Sequence, residues 1–173
     1  MKILFDEIPT AGLTVTVTDT SWFPEEDWVR VGPVRSELYL TRLNQRVLLE
    51  GTLQFTNRYE CDRCLEPYET AEDLHFRIDF EYLAADDPYW STEEHQCPET
   101  EMDVVALSEP EIDIEAVLAQ QVILSEPVKR LCSEACRGLC PSCGQNLNTA
   151  PCTCQGPERV SPFQVLARLK EKK

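Results

Sequence analysis

Six of the nine cysteines in this chain lie within the 23 residues from Cys132 to Cys154. At their centre, C-P-S-C-G at residues 140–144 has the spacing of a metal knuckle, in which two thiolates grip one ion and a glycine completes the turn. Zn²⁺ takes four ligands, so two more thiolates are needed, and pairs lie on both sides. The sequence therefore predicts one structural zinc bound by four of these six residues: Cys132, Cys136, Cys140, Cys143, Cys152 and Cys154.

Disulfides, an iron–sulfur centre and unligated thiols are the alternatives to zinc. Disulfides in so short a stretch require a secreted chain, and an odd number of cysteines fits a closed disulfide framework poorly. Neither of the two histidines lies in the stretch, so the expected site contains thiolates alone. A thiolate-saturated zinc has no open position for water, and its predicted role is to hold the fold together.

Length and composition favour one main domain with a small appended module. Apolar residues make up 42% of the 173, and no apolar run approaches the roughly 20 residues that span a bilayer. Asp6 and Glu7 interrupt the N-terminal apolar stretch where an export signal would continue. These features predict a cytoplasmic protein without membrane contact, with a sheet domain at residues 1–128 and a cysteine-rich module at 129–173.

Alternation of apolar and polar residues predicts half-buried strands at residues 13–18, 37–43, 47–61 and 74–82. Asp113 can cap an amphipathic helix that ends before Pro127. A long acidic loop is expected over residues 84–110, where Cys97 and His95 are interpreted as incidental. The predicted fold is α+β, a mainly antiparallel sheet covered by one or two helices, with the zinc-binding module and a terminal helix at the C-terminus.

A second cysteine pair, Cys61 and Cys64, is separated by two residues where a hairpin must reverse. This pair can complete a metal site, act as a dithiol redox pair, or present Arg63 at the tip to a phosphate or carboxylate. The structural alternative is a tight turn in which the cysteines are small apolar side chains. A thioredoxin-type pair is expected at the start of a helix, and the context here is a hairpin. The interpretation is therefore a structural or interaction site.

The net charge of −15 is unevenly distributed along the chain. Residues 66–126 carry −17, whereas residues 127–173 carry +5. The acidic zone suits either a basic protein partner or a solvated, solubilising surface. With a basic protein partner the chain would be an adaptor whose C-terminal part contacts RNA. A short amphipathic helix is expected at residues 161–170, and its basic end supplies the candidate phosphate contacts Arg168, Lys170, Lys172 and Lys173.

Three separated motifs resemble the YceD family of large ribosomal RNA subunit accumulation proteins. They are C-D-R-C-L-E-P at residues 61–67, C-x3-C-R-G-L-C-P-x-C-G-x-N-L-N at 132–148 and S-P-F-x-V-L-A-x-L-K at 161–170. The resemblance implies a non-enzymatic role in making or preserving large-subunit (23S) ribosomal RNA during ribosome biogenesis. Its implied partners are a large-subunit ribosomal RNA precursor or a basic ribosomal protein.

No nucleophile motif or phosphate-cradling glycine loop is present, so nothing favours a hydrolase or a small-molecule substrate. Two hypotheses stand. The first is a ribosome-assembly binding factor, and the second is a thiol-based redox protein that uses Cys61 and Cys64.

Overall fold

In a computed structural model of the protein, residues 1–24, 29–87, 89 and 104–154 are described. The chain divides into two compact units. The first comprises Met1–Tyr59 and Tyr68–Val128, and the second combines Glu60–Pro67 with the chain from Lys129 onward. The predicted sheet domain at residues 1–128 includes the hairpin tip. The structure groups the tip with the cysteine-rich module instead, because its two thiols converge with thiols from that module.

The first unit contains a six-stranded sheet. Its strands are β2 at Leu13–Thr16, β3 at Val29–Arg30, β4 at Arg35–Leu43, β5 at Arg46–Glu60, β6 at Pro67–Tyr82 and β7 at Val104–Leu107. Their order is β2-β4-β5-β6-β7, with β3 paired to β5. Strands β2, β4 and β5 are joined in antiparallel register, whereas β7 runs parallel to the end of β6.

The antiparallel pair of β4 and β5 confirms the predicted alternation. Along β5 the odd-numbered residues are buried from Val47 to Tyr59, while the even-numbered residues are exposed or half-buried. Leu40 of β4 faces Leu49 of β5, and both are fully buried. Asn44 adopts a left-handed φ of 57° in the two-residue turn between these strands, as a tight turn requires. One face of the sheet therefore forms the core.

A single described α-helix, α1 at Ile114–Leu124, contributes to that core. Asp113 is its N-cap, since the Asp113 carboxylate accepts hydrogen bonds from the backbone N–H groups of Glu115 at 3.2 Å and Ala116 at 3.3 Å. The helix ends shortly before Pro127, as predicted. The α+β class is thus confirmed. The helical residues in the core cluster are Ile114, Val117, Leu118 and Val122.

Most differences from the predicted elements concern short segments, but β6 begins at Pro67, seven residues before the predicted strand at 74–82. The expected loop 84–110 contains β7, whose four apolar residues are too few to show a strand period in sequence. A separate two-stranded sheet pairs β1 (Lys2–Leu4) with β8 (Glu111–Asp113) and was not predicted. One turn of 3-10 helix at Phe5–Glu7 follows β1.

Several predicted features lie outside the described residues. They are the terminal helix at 161–170, the basic residues Arg168, Lys170, Lys172 and Lys173, and Cys97 with His95. In the part of the chain that is described, no helix is long and apolar enough to cross a membrane.

Candidate metal centres

Eight cysteines of the second unit form two groups of four. Within each group, the four Sγ atoms all lie within 4.8 Å of one another. We call the first group the hairpin centre and the second the C-terminal centre. The hairpin centre consists of Cys61, Cys64, Cys132 and Cys136, and the C-terminal centre consists of Cys140, Cys143, Cys152 and Cys154.

The C-terminal centre is built on the knuckle that the sequence predicted. The Cys140 N–H donates to the Gln145 carbonyl at 2.8 Å, and the Gly144 N–H donates to the Cys140 carbonyl at 2.9 Å. Gly144 has a φ of 74°, a left-handed conformation that glycine adopts without steric cost. The Ser142 N–H points at the Cys140 sulfur at 3.4 Å, so the turn prepares this sulfur to carry negative charge.

The hairpin tip has the same backbone pattern. The Cys61 N–H donates to the Glu66 carbonyl at 3.0 Å, and the Leu65 N–H donates to the Cys61 carbonyl at 2.8 Å. Leu65 occupies the place that glycine takes in the other knuckle, with a φ of 60°. A left-handed conformation costs a non-glycine residue about 1–2 kcal/mol. This strained turn is therefore a second knuckle, and leucine at the glycine position concealed it in the sequence.

Distances between sulfurs fit a tetrahedral metal in each centre. In the hairpin centre, the Cys61 and Cys136 sulfurs are 3.8 Å apart, and those of Cys64 and Cys132 are 3.7 Å apart. In the C-terminal centre, the Cys152 sulfur lies 3.5 Å from that of Cys143 and 3.4 Å from that of Cys140. Four sulfurs each about 2.3 Å from a zinc ion are about 3.8 Å apart, so both donor sets can hold a metal ion.

The prediction of a single site requires correction, because the structure assembles two. Cys132 and Cys136 lie with the hairpin pair, while Cys152 and Cys154 complete the predicted knuckle. The spacing of the cysteines in the sequence could not show which thiols belong to which centre, because Cys61 and Cys136 are 75 residues apart. Of the interpretations considered for the hairpin pair, completion of a metal site is the one that this geometry matches.

In each centre the pKa of one thiol is about 6 and that of another is about 12. Burial disfavours the Cys61 thiolate, but N–H groups of Cys132, Arg63 and Cys64 outweigh burial and lower the pKa of Cys61 to about 6. Burial and the neighbouring thiols, Cys136 first among them, raise the pKa of Cys132 to about 12. Without a cation, four clustered thiols cannot all ionise, so a bound metal ion is the natural counter-charge.

The C-terminal centre repeats this division. N–H groups of Ser142 and Cys143 lower the pKa of Cys140 to about 6. Hydrogen bonds with the Cys152 and Cys143 sulfurs raise the pKa of Cys154 to about 12. Two thiols of this centre, those of Cys143 and Cys154, are exposed, whereas in the hairpin centre Cys132 alone is exposed and Cys61 is fully buried.

Arg63 and its neighbours hold the hairpin tip against the C-x3-C loop. The Arg63 guanidinium donates to the carbonyls of Cys136 at 2.9 Å and Glu134 at 3.3 Å. Asp62 and Arg130 exchange two hydrogen bonds, each 2.8 Å long. These contacts give Arg63 a structural role that the sequence did not suggest. Its proposed contact with a phosphate stays a prediction.

Gly138 is required where the two knuckles approach each other. Its φ is 73°, and a Cβ atom at this position would lie 2.9 Å from the Arg63 carbonyl oxygen. That carbonyl accepts a hydrogen bond from the Leu139 N–H at 3.0 Å. A side chain at residue 138 would therefore separate the hairpin tip from the segment that joins the two centres.

Asn148 is a site residue to which the sequence analysis gave no role. Its side-chain nitrogen donates to the Cys136 sulfur at 3.3 Å, and its side-chain oxygen accepts from the Arg137 N–H at 2.7 Å. The repeated asparagine in the quoted motif G-x-N-L-N was the available signal. It resembles ordinary turn chemistry, so its link to a thiol was not apparent.

A protein-family model matches most of this chain. The model of the family described as "Large ribosomal RNA subunit accumulation protein YceD" matches residues 49–170. The matched segment includes all eight cysteines of the two centres. No solved structure gives a significant match.

Curated relatives are similar over most of this chain. The "Large ribosomal RNA subunit accumulation protein YCED homolog 1, chloroplastic" of Arabidopsis thaliana is 26% identical over 166 residues, covering 80% of this chain and 49% of the relative. An uncharacterized protein of Mycobacterium leprae is 31% identical over 120 residues, covering 69% of this chain and 51% of that protein. An uncharacterized protein of Mycobacterium tuberculosis is 31% identical over 116 residues, covering 66% of this chain and 52% of that protein. The chain thus spans about half the length of the curated relatives it matches.

Proposed function

Because the chain belongs to the YceD family, we propose that it is a non-enzymatic factor for the accumulation of large-subunit (23S) ribosomal RNA. It acts in ribosome biogenesis by binding a ribosomal RNA precursor, a ribosomal protein or both. The observation that carries this proposal is the family match over residues 49–170, which includes the hairpin and both thiol centres.

Zinc is the proposed occupant of both centres. Four thiolates without a histidine or carboxylate suit Zn²⁺, and its tetrahedral preference matches the spacing of the sulfurs. The ion supplies no reaction here, since four protein ligands leave no open position. Cys61 and Cys64 fix the hairpin tip, while Cys132 and Cys136 fix the loop that follows the first unit. All eight described thiols are unpaired, which is consistent with a reducing compartment such as the cytoplasm.

The zinc core itself is a poor surface for RNA. The described residues of the second unit contain four acidic and four basic side chains and are formally neutral. Each zinc with four thiolates carries a formal charge of about −2, so two loaded centres make this core acidic. Positive charge remains beyond it, because residues 155–173 contain five basic and two acidic side chains. RNA contact is therefore assigned to the C-terminal residues.

A basic ribosomal protein is the proposed partner of the acidic zone at residues 66–126, which carries a net charge of −17. Charge complementarity of this kind speeds association and selects partners. The chain would thus join RNA and protein through separate segments.

Thiol redox chemistry is the less favoured function. The Cys61 sulfur is fully buried and lies in contact with the Cys136 sulfur, so it is inaccessible to a protein disulfide. The lowered pKa of Cys61 serves metal binding equally well. We expect no insulin-reduction activity above the buffer rate, and a thioredoxin-like rate would instead establish the redox function.

The direct test of the proposed role is co-sedimentation. The tagged protein should migrate with assembling large subunits in a sucrose gradient prepared from its own cells. Migration solely at the position of the free protein, at low salt and in growing cells, would contradict the proposal.

Removing charge from the C-terminus should weaken RNA association selectively. Replacing four basic residues by glutamine should flatten the dependence of affinity on salt by roughly one unit for each phosphate that the variant no longer binds. Binding is measured on a large-subunit RNA fragment over a salt series. The residues to replace together are Arg168, Lys170, Lys172 and Lys173.

Two control variants make this experiment specific. The first removes the same number of positive charges from the first unit, and it should retain the parent salt dependence. The second neutralises acidic residues and should release a basic protein partner while leaving RNA binding unchanged or stronger. Equal behaviour of every variant would exclude the C-terminal residues as the RNA contact. The first control replaces Lys2, Arg35, Arg58 and Arg77, and the second replaces Glu93, Glu94, Glu99 and Glu101.

A further inference from the structure

The loop between the two ligand pairs of the C-terminal centre carries a side chain that serves the other centre. Asn148 lies five residues after Cys143 and four residues before Cys152. The sulfurs of Cys143 and Cys152 are 3.5 Å apart, so a metal bound there closes this loop. From the closed loop, the Asn148 amide reaches the Cys136 sulfur of the hairpin centre at 3.3 Å.

Both ends of the Asn148 amide are used, and its backbone is also held. The side-chain oxygen accepts from the Arg137 N–H at 2.7 Å, which fixes the direction in which the side-chain N–H group points. The Asn148 N–H donates to the Asn146 side-chain oxygen at 3.0 Å. An amide fixed in this way offers a directed hydrogen-bond donor to a ligand sulfur. Such outer contacts orient metal ligands and stabilise their charge.

The segment between Cys136 and Cys140 connects the centres through the backbone. The Leu147 N–H donates to the Gly138 carbonyl at 2.9 Å, and Leu139 forms an isolated antiparallel bridge with Asn146. Leu139 also donates to the carbonyl of the hairpin tip through its own N–H. The loop of the C-terminal centre and the hairpin tip therefore both form hydrogen bonds with the segment between Cys136 and Cys140.

From these contacts we propose that Asn148 is a positioning residue that couples the two metal centres. Zinc at the C-terminal centre orders the loop, the ordered loop presents the Asn148 amide to Cys136, and the hairpin centre then binds zinc more tightly. Coupling is reciprocal, so zinc at the hairpin centre also favours binding at the C-terminal centre. This inference rests on the zinc occupancy in the proposed function.

The test uses Asn148→Asp in the full chain. Aspartate keeps an oxygen that can accept from the Arg137 N–H, but it cannot donate to the thiolate and places a negative charge beside it. Gln145→Glu is the matched control, because it makes the same change of charge in the same loop at an exposed side chain without a contact to sulfur. If Asn148 served only to accept the hydrogen bond from the Arg137 N–H, aspartate would preserve that role and zinc binding would not change.

Occupancy of each centre is read separately by mass spectrometry. Alkylation of Cys61 and Cys64 reports the hairpin centre, and alkylation of Cys152 and Cys154 reports the C-terminal centre, over a series of buffered free zinc concentrations. Asn148→Asp should raise the zinc concentration needed to protect the hairpin cysteines by about 10–100-fold. The Gln145→Glu chain should match the parent.

Coupling is tested by repeating Asn148→Asp in a chain that lacks the C-terminal centre through Cys152→Ser and Cys154→Ser. Loss of that centre should itself weaken protection of the hairpin cysteines, and Asn148→Asp should then add little. Equal protection in Asn148→Asp and Gln145→Glu would overturn the positioning role. An undiminished Asn148→Asp effect without the C-terminal centre would overturn the coupling. If the parent shows no zinc-dependent protection at either centre, the zinc occupancy proposed above is wrong instead.

Discussion

Replacing Cys61 and Cys64 together by serine is expected to lower the zinc content from two ions to one per chain. The two remaining thiols of the hairpin centre, Cys132 and Cys136, cannot complete a tetrahedral site by themselves. The ion of the hairpin centre links cysteines that are about 70 residues apart in the sequence. Without it, the hairpin tip is no longer crosslinked to the rest of the second unit. Structural zinc contributes about 10–16 kcal/mol of apparent binding free energy, which makes this the largest expected effect of any double substitution outside the C-terminal centre.

Elemental analysis of the reduced, purified protein gives the zinc count for this experiment. Cys97→Ser is the matched control, since eight thiols already fill two sites and the ninth cysteine is expected to be dispensable. A Cys61→Ser, Cys64→Ser chain that retains two zinc ions would exclude the hairpin pair as ligands. Reduction of the zinc content by Cys97→Ser would assign that cysteine to a site.

Stripping both metals with a chelator under reducing conditions is expected to unfold the second unit and leave the first folded. The first unit has its own apolar core between the sheet and α1, and that core requires no metal. In the second unit, by contrast, the described buried apolar side chains are cysteines. Amide hydrogen exchange measures the two responses in one sample.

Specific amides identify the outcome of this second experiment. The N–H groups of Asp62 and Leu139, which bond to backbone carbonyls in the second unit, should exchange on the order of 100-fold faster or more without zinc. Amides in the β4–β5 ladder, such as those of Leu40 and Leu49, should keep their protection. Loss of protection throughout the chain would show that the first unit depends on the metal, and unchanged protection at Asp62 and Leu139 would show that the metal is dispensable.

Local periodicity was sufficient to predict the sheet but could not locate the hairpin thiols in space. Along β5 the burial of every second residue follows directly from the order of apolar and polar side chains. Asp113 likewise identified the start of α1 through its own chemistry. These features depend on neighbours within a few residues. The approach of Cys61 to Cys136 depends on a separation of 75 residues, and no local pattern encodes it.

Two residues, Leu65 and Asn148, have roles in the metal centres that their residue types did not indicate. Leu65 stands where Gly144 stands in the recognised knuckle, so the same turn did not have the same sequence signature. Asn148 looked like a turn residue because asparagine is common in turns, although its amide contacts a ligand sulfur. For Leu65 the backbone conformation identifies the function, and for Asn148 a side-chain contact does.

Native mass spectrometry of the intact, reduced chain tests the central claim most directly. The technique counts bound metal ions and identifies them by mass, and digestion after alkylation shows which thiols the ions protect. Two zinc ions per chain are expected, with Cys61, Cys64, Cys132 and Cys136 protected as one set and Cys140, Cys143, Cys152 and Cys154 as the other. A chain that binds a single zinc and leaves Cys61 and Cys64 open to alkylation would contradict the account of two centres.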